Sequence, residues 1–178
     1  MSDLRRAHGY VELAEVAPGG MVLLRAAPDT DGLAEAVAGV GGELPGRLRI
    51  SSGDVQVAWM APDELLILTP DAHGATVELG RLLEGRHHLA LDVSDLRARF
   101  TLRGARVREV LAKLAPVDMA PAAMPPGAFR RTRLAQIPAA LWLSGETTAH
   151  AICFRSVADY AFATLATVSR EGGEIGLF

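Results

Sequence analysis

Cysteine is nearly missing from this 178-residue chain; Cys153 is its single copy. One thiol cannot build a disulfide framework or a multi-cysteine zinc site. Aromatic residues are sparse too, at 5%, so a core has to be packed mainly from Leu, Val, Ile and Ala. No strong charge of one sign is present, and a net charge of −3 argues against a dedicated nucleic-acid binder. No uncharged apolar run approaches the roughly 18 residues of a membrane span. The opening Met1-Ser2-Asp3-Leu4-Arg5-Arg6 lacks the apolar stretch of a signal peptide, and Glu12 and Glu15 interrupt the next ten residues. A nucleotide loop is missing as well. Gly39-Val40-Gly41-Gly42-Glu43-Leu44 departs from G-x-G-x-x-G at its third glycine, and the only lysine, Lys113, has no Walker context. There is no G-x-S-x-G nucleophile elbow.

What is present is globular: 49% hydrophobic and 22% charged residues exclude intrinsic disorder. A chain of this length hides roughly 70% of its unfolded surface, enough for a sizeable core. The expectation is a soluble, cytoplasmic protein that contacts neither nucleic acid nor membrane.

Along the chain, residues 1–20 read as a lead-in closed by the turn Pro18-Gly19-Gly20. Residues 21–178 read as one compact domain of two similar lobes, about 21–90 and 91–170. In the first, Met21–Leu24 is a strand and Thr30 a candidate N-cap for a helix carrying Leu33, Val37 and Val40. Val55, Val57 and Trp59 alternate with Gln56, Ala58 and Met60 as in a half-buried strand. Pro62-Asp63 turns into the buried strand Leu65–Leu68. Thr69 or Asp71 then caps a helix with Val77, Leu79, Leu82 and Leu83 on its apolar side.

The second lobe repeats the order. Ala98, Phe100 and Leu102 alternate with Arg97, Arg99, Thr101 and Arg103, a strand with one basic face. Val107, Val110, Leu111 and Leu114 give the i, i+3, i+4, i+7 spacing of a helix. Pro116, Pro121, Pro125, Pro126 and Gly127 make an irregular connector, and Pro121 to Pro138 reads as a long Pro-rich stretch before strands at 141–143 and 149–154. Ser156 with Asp159 resembles a capping box opening the last helix. Trp59 and Trp142 each precede a hairpin and a helix, which suggests internal duplication. The fold class expected is α+β, duplicated β-α-β-β-α lobes with helices on one face of antiparallel or mixed sheet.

Candidate chemistry is thin. His87 and His88, adjacent on a strand, point to opposite faces and cannot converge on one ion. His150 and Cys153, three apart, do the same, so Cys153 reads as a small buried hydrophobe. Asp92-Val93-Ser94-Asp95 has the composition of a turn. Arginine is where the sequence concentrates charge: Arg97, Arg99, Arg103, Arg106 and Arg108, then Arg130, Arg131 and Arg133. That cluster is either a solvated face or an interface meeting carboxylates of a partner or anionic ligand. Between Asp118 and Glu146 there is no acidic residue, and a long Pro-rich connector of this kind suits docking to another subunit.

Several segments resemble the gamma subunits of heterotetrameric sarcosine oxidases. They are Ala58-Trp59-Met60-Ala61-Pro62-Asp63-Glu64-Leu65-Leu66, Asp92-Val93-Ser94-Asp95, and Leu102-Arg103-Gly104 leading into Val110-Leu111-Ala112-Lys113. Met124-Pro125-Pro126-Gly127 followed by Thr132-Arg133-Leu134-Ala135-Gln136-Ile137-Pro138, then Arg155-Ser156-Val157-Ala158-Asp159-Tyr160, complete the series. The wider resemblance implies the folate-binding fold of the glycine-cleavage aminomethyltransferases. Where those proteins carry acids that help engage folate, this chain has Gln136-Ile137-Pro138-Ala139-Ala140. The resemblance implies no catalytic residue, metal or cofactor on this chain, with FAD, FMN, NAD and tetrahydrofolate on partner subunits. It implies partners of alpha, beta and delta type, in a complex that oxidises sarcosine to glycine. Arg97, Arg99, Arg103, Arg130, Arg131 and Arg133 are the partner-interface candidates. Alternatives are a stand-alone folate-binding one-carbon transferase domain, or an accessory subunit of another methylamine-oxidising flavoenzyme.

Overall fold

The computed structural model describes residues 4–178; the first three residues of the N-terminal reading, Met1 to Asp3, lie outside the described residues. In chain order the strands are β1 (Arg6–Ala7), β2 (Glu12–Glu15), β3 (Gly20–Ala26), β4 (Gln56–Ala61), β5 (Glu64–Thr69), β6 (His88–Asp92), β7 (Arg97–Arg103), β8 (Phe129–Leu134), β9 (Ile137–Gly145) and β10 (Thr148–Phe154). The helices are α1 (Leu33–Gly39), α2 (Ala72–Leu82), α3 (Val107–Ala112) and α4 (Ala158–Val168), the last preceded by a 3-10 turn at Arg155–Val157. The chain divides into two compact units, Gly19–Ser94 on one hand and Asp95–Phe178 together with the residues up to Pro18 on the other.

The Gly19–Ser94 unit is a four-stranded antiparallel sheet in the order β4-β5-β3-β6. Leu65, Leu66, Ile67 and Leu68 are all buried, as a continuous apolar run in a central strand should be. Alternate residues of β3 and β5 (Val22, Leu24, Leu65, Ile67) meet Val37 of α1 and Leu79 of α2, forming the core on the helical side. Asp71 caps α2, accepting a 2.8 Å bond from the Gly74 N–H. Thr30 does not cap α1. The N-cap is Gly32 at φ 77°, a left-handed position suited to glycine. Val77, expected on the buried side of α2, is exposed. Asp92 closes the turn after β6, accepting from the Ser94 N–H and O–H, while Ser94 Oγ accepts from the Met21 N–H at 3.1 Å.

The other unit is a six-stranded antiparallel sheet in the order β1-β2-β7-β10-β9-β8. Two of its strands come from the segment read as a lead-in: β2 pairs with β7 from Glu12↔Arg103 to Glu15↔Phe100. Leu13 packs with Phe100, Leu102, Val110, Leu111 and Leu165 in the helical-side core. Gly9 sits where a Cβ would meet the Ser169 carbonyl oxygen, so only glycine fits beside the end of α4. The connector is shorter than the sequence suggested, because β8 and the start of β9 lie inside it. Their two-residue hairpin places Ala135 at φ 50°, where turn chemistry favours glycine or asparagine. The Ser156–Asp159 capping box does not form either. Val157 occupies the N-cap position without a side-chain bond, and Asp159 instead pairs with Arg5 at 2.6 Å.

Both units share one topology. β3-α1-β4-β5-α2-β6 has the strand order of a β-α-β-β-α-β unit. β7-α3-β9-β10-α4 repeats it with β8 added at the edge, and β2 takes the place that β6 holds in the first. The strand that precedes each repeat in sequence therefore completes the sheet of the other.

Candidate functional site

In an antiparallel sheet, residues directly opposite share a face. The register of the six-stranded sheet aligns Thr101 of β7, His150 of β10, Trp142 of β9 and Phe129 of β8 in one cross-strand row. Arg99 and Arg103 flank Thr101 on the same face, and the opposite face of β7 carries the core residues Ala98, Phe100 and Leu102. His150 and Trp142 are stacked, with ring centroids 4.9 Å apart and planes 19° from parallel. Trp142 leans on Phe129 at 5.9 Å.

A β-bulge makes the row possible. Thr148 pairs with Gly145 and Ala149 with Leu143, leaving Ser144 as the extra residue of β9. Ser144 Oγ thereby lies 2.9 Å from His150 Nε2, while Thr101 Oγ1 lies 3.3 Å from His150 Nδ1. Burial, with the cations of Arg99 and Arg103 nearby, brings the His150 imidazole down to about 4, so it is neutral at physiological pH. Neither Arg99 nor Arg103 has a hydrogen-bonding or ion-pairing partner for its guanidinium among the described residues. Arg99 is half-buried, and desolvation lowers its pKa with no acid nearby to raise it. Trp142 is 2% exposed, and its indole N–H has no partner among the described residues.

The structure disperses the other predicted interface residues. Arg97, at the start of β7, is buried with its guanidinium 5.0 Å above the Phe154 ring. Arg131 and Arg133 are exposed and lie on β8, across two intervening strands from β7 and so on the order of 14 Å from it. Arg130 projects to the helical side and donates to the carbonyls of Phe129 and Ala123. Arg106 is bonded to Glu109 at 3.3 Å. Arg108 is buried and donates to the carbonyls of Met119 (3.0 Å) and Met124 (2.8 Å) and to Glu146 (2.9 Å). Arg108 and Arg130 thus hold the Pro-rich connector by its backbone, which a mostly apolar segment could not do for itself.

Cys153 is buried in the helical-side core, on the face opposite His150, and burial pushes its thiol up to about 11. His88 opens β6, at the edge of its sheet, with Nδ1 2.9 Å from the Arg86 carbonyl. No group of three or more His, Cys, Asp or Glu side chains converges among the described residues. No helix among them is long and apolar enough to cross a membrane. In the Gly19–Ser94 unit a cavity of about 310 Å³ opens beside Val40, Val55, Thr69 and Asp71, where the Asp71 carboxylate is engaged as the α2 cap.

The His150 row was not foreseen as a unit. Its signal lay in the hairpin: two aromatic rings on either side of Gly145-Glu146, brought opposite each other only once the bulge is counted.

Comparison with known proteins completes the description. Residues 25–171 match the sarcosine oxidase, gamma subunit family. The chain is 35% identical over 141 residues to the sarcosine oxidase subunit gamma of Corynebacterium sp. (strain P-1), covering 78% of this chain and 70% of that protein. Its structure resembles a chain of the heterotetrameric sarcosine oxidase of Corynebacterium sp. U-96 solved with pyrrole 2-carboxylate, with a TM-score of 0.83, 29% identity, and coverage of 92% of this chain and 87% of that one. The glycine cleavage system aminomethyltransferase T of Bartonella henselae shares the fold at a TM-score of 0.62 and 12% identity, covering 93% of this chain and 48% of that one.

Proposed function

The chain belongs to the sarcosine oxidase gamma-subunit family, and from that premise we propose that it serves as the gamma subunit of a heterotetrameric sarcosine oxidase in the cytoplasm. In this reading the complex oxidises sarcosine to glycine and reduces oxygen to hydrogen peroxide. The one-carbon unit leaves as formaldehyde or is taken up by tetrahydrofolate as methylenetetrahydrofolate. The redox cofactors FAD, FMN and NAD, and tetrahydrofolate, reside on the alpha, beta and delta partners; this chain carries none and acts in assembly.

The observation that carries the reading is the likeness to a heterotetrameric sarcosine oxidase chain along nearly the whole length of both. Two features fit an assembly role. The Cys153 thiol is buried and strongly protonated, and the His150 imidazole is held between two hydroxyls. Arg103, Arg131 and Arg133, exposed on one sheet face, supply the partner-facing cations; Arg97 and Arg99 lie on that face at less exposed positions, and Arg130 on the other.

Affinity purification of the chain from its native cell, with mass spectrometry and a visible spectrum, tests this. Co-purifying flavin-bearing chains, a yellow eluate and sarcosine-dependent peroxide support the reading. A colourless chain without partners sinks it. Reversing Arg103, Arg131 and Arg133 to glutamate is expected to weaken assembly, and unchanged complex formation across the series removes that face from the contact.

A further inference from the structure

The row on the six-stranded sheet collects hydrogen-bond donors and positive charge and supplies no anion. Arg99 and Arg103 lack ion-pair partners among the described residues, and the only acid placed opposite either of them in the register is Glu12, across from Arg103. Glu12 is exposed and makes no ion pair there among the described residues. Between the two arginines stands Thr101, then His150, with the Ser144 hydroxyl on its far nitrogen. The buried Trp142 indole N–H on the same row is unpartnered among the described residues.

Half-burying a guanidinium without a counterion costs free energy that a folded chain ordinarily recovers by pairing it. A planar two-oxygen anion matches the fork of an arginine side chain and accepts further bonds from nearby hydroxyls. We infer that Arg99, Arg103, Thr101, Ser144 and His150 form a carboxylate-binding site on this face of the sheet. The site is a property of this chain alone. Its carboxylate is either that of a small acid or an Asp or Glu side chain of a partner subunit, and only the second source rests on the subunit reading.

The imidazole of His150 is the reporter. Its depressed protonation comes from burial and from the Arg99 and Arg103 charges, while Glu12 is the one carboxylate in the register of this face. An added anion between the arginines raises the His150 pKa by offsetting them. The full-length chain, labelled with ¹⁵N-histidine and assigned with His150→Gln, is titrated with acetate against chloride at matched ionic strength. The expected result is a saturable shift of the His150 ring nitrogens and a raised titration midpoint. Arg103→Gln, at an exposed position, weakens the acetate affinity at least tenfold, Arg103→Lys weakens it less, and Glu12→Gln strengthens it. Arg99→Gln abolishes the response, and its thermal unfolding curve establishes whether it folds. Isolated, folded wild-type chain whose His150 signals ignore acetate overturns the site.

The assembled complex separates the two sources. His150 already titrating at a higher pH and insensitive to acetate identifies a partner carboxylate in the site. A continued acetate response identifies a small acid as the occupant. His150 still titrating near 4 and deaf to acetate in both chain and complex overturns the proposal.

Discussion

The two units use the same strand order but differ in how the order is completed and how charge is handled. Gly19–Ser94 is continuous in sequence, and its polar side-chain pairs, Arg25–Asp63, Arg81–Glu78 and Arg86–Asp31, are exposed. The other unit takes its fourth strand from the N-terminal segment and buries Arg97, Arg108 and Glu109. Exposed pairs contribute little because solvent and salt screen them. Buried charges contribute geometry: each must be answered by a bond, so they fix the backbone that answers them. The first unit is held by apolar packing and a helix cap, the second also by a polar scaffold.

That contrast can be broken where it is strongest. Removing residues 1–16 should unfold the six-stranded unit while leaving hydrogen-exchange protection in β3 and β5. Leu13→Ala should cost that unit about 3 kcal/mol in denaturant unfolding. Protection of β7 that survives the deletion would contradict the dependence on β2.

Next in size is Arg108→Leu, which strips a charged donor from the Met119 and Met124 carbonyls. About 3 kcal/mol is expected, with loosened protection across the connector. Arg81→Ala, at an exposed pair in the other unit, should leave the unfolding midpoint unmoved.

His150 provides a pH test of intermediate size. Its folded value of about 4 lies below the ordinary 6.5, so between these values the unfolded chain binds more protons. Stability should therefore fall as the pH drops from 6.5 toward 4, and His150→Gln should flatten that slope. Among the variants that shift stability, the smallest effect is expected from Asp71→Ala, the lost α2 cap, at about 1 kcal/mol confined to Gly19–Ser94.

Strands with a one-sided pattern were legible in the sequence. Phe100 and Leu102 alternating with arginines defined β7, and Leu65–Leu68 defined β5, because burial of a face writes its period directly into the residues. The duplicated α+β architecture followed from the order of such segments. Elements set by backbone geometry were not legible. β8 was hidden because its hairpin turns at Ala135 rather than at glycine. The α1 cap was misplaced onto Thr30 because Gly32 ends the loop by conformation, not by a side chain. The lead-in contained strands only two and four residues long, and the second of them finds its sheet partner in β7, nearly ninety residues away. The His150–Trp142 stack depends on one bulged residue, Ser144, and a register one residue out would have set His150 against Leu143. The arginines were found as a run, but a run says nothing about which carbonyl or ring each one meets.

The pairing of β2 with β7 also has a consequence for synthesis. A ribosome delivers Glu12 well before Arg103, its partner across the sheet. The four strands of Gly19–Ser94 are all available once Asp92 has emerged, and domains generally fold as they become complete. The β2 segment must therefore wait without its β7 partner until the later unit arrives to receive it. Its apolar content at that stage is small, chiefly Val11 and Leu13, with Glu12 and Glu15 keeping the waiting edge charged. A strand made before the whole Gly19–Ser94 unit is thus placed after it.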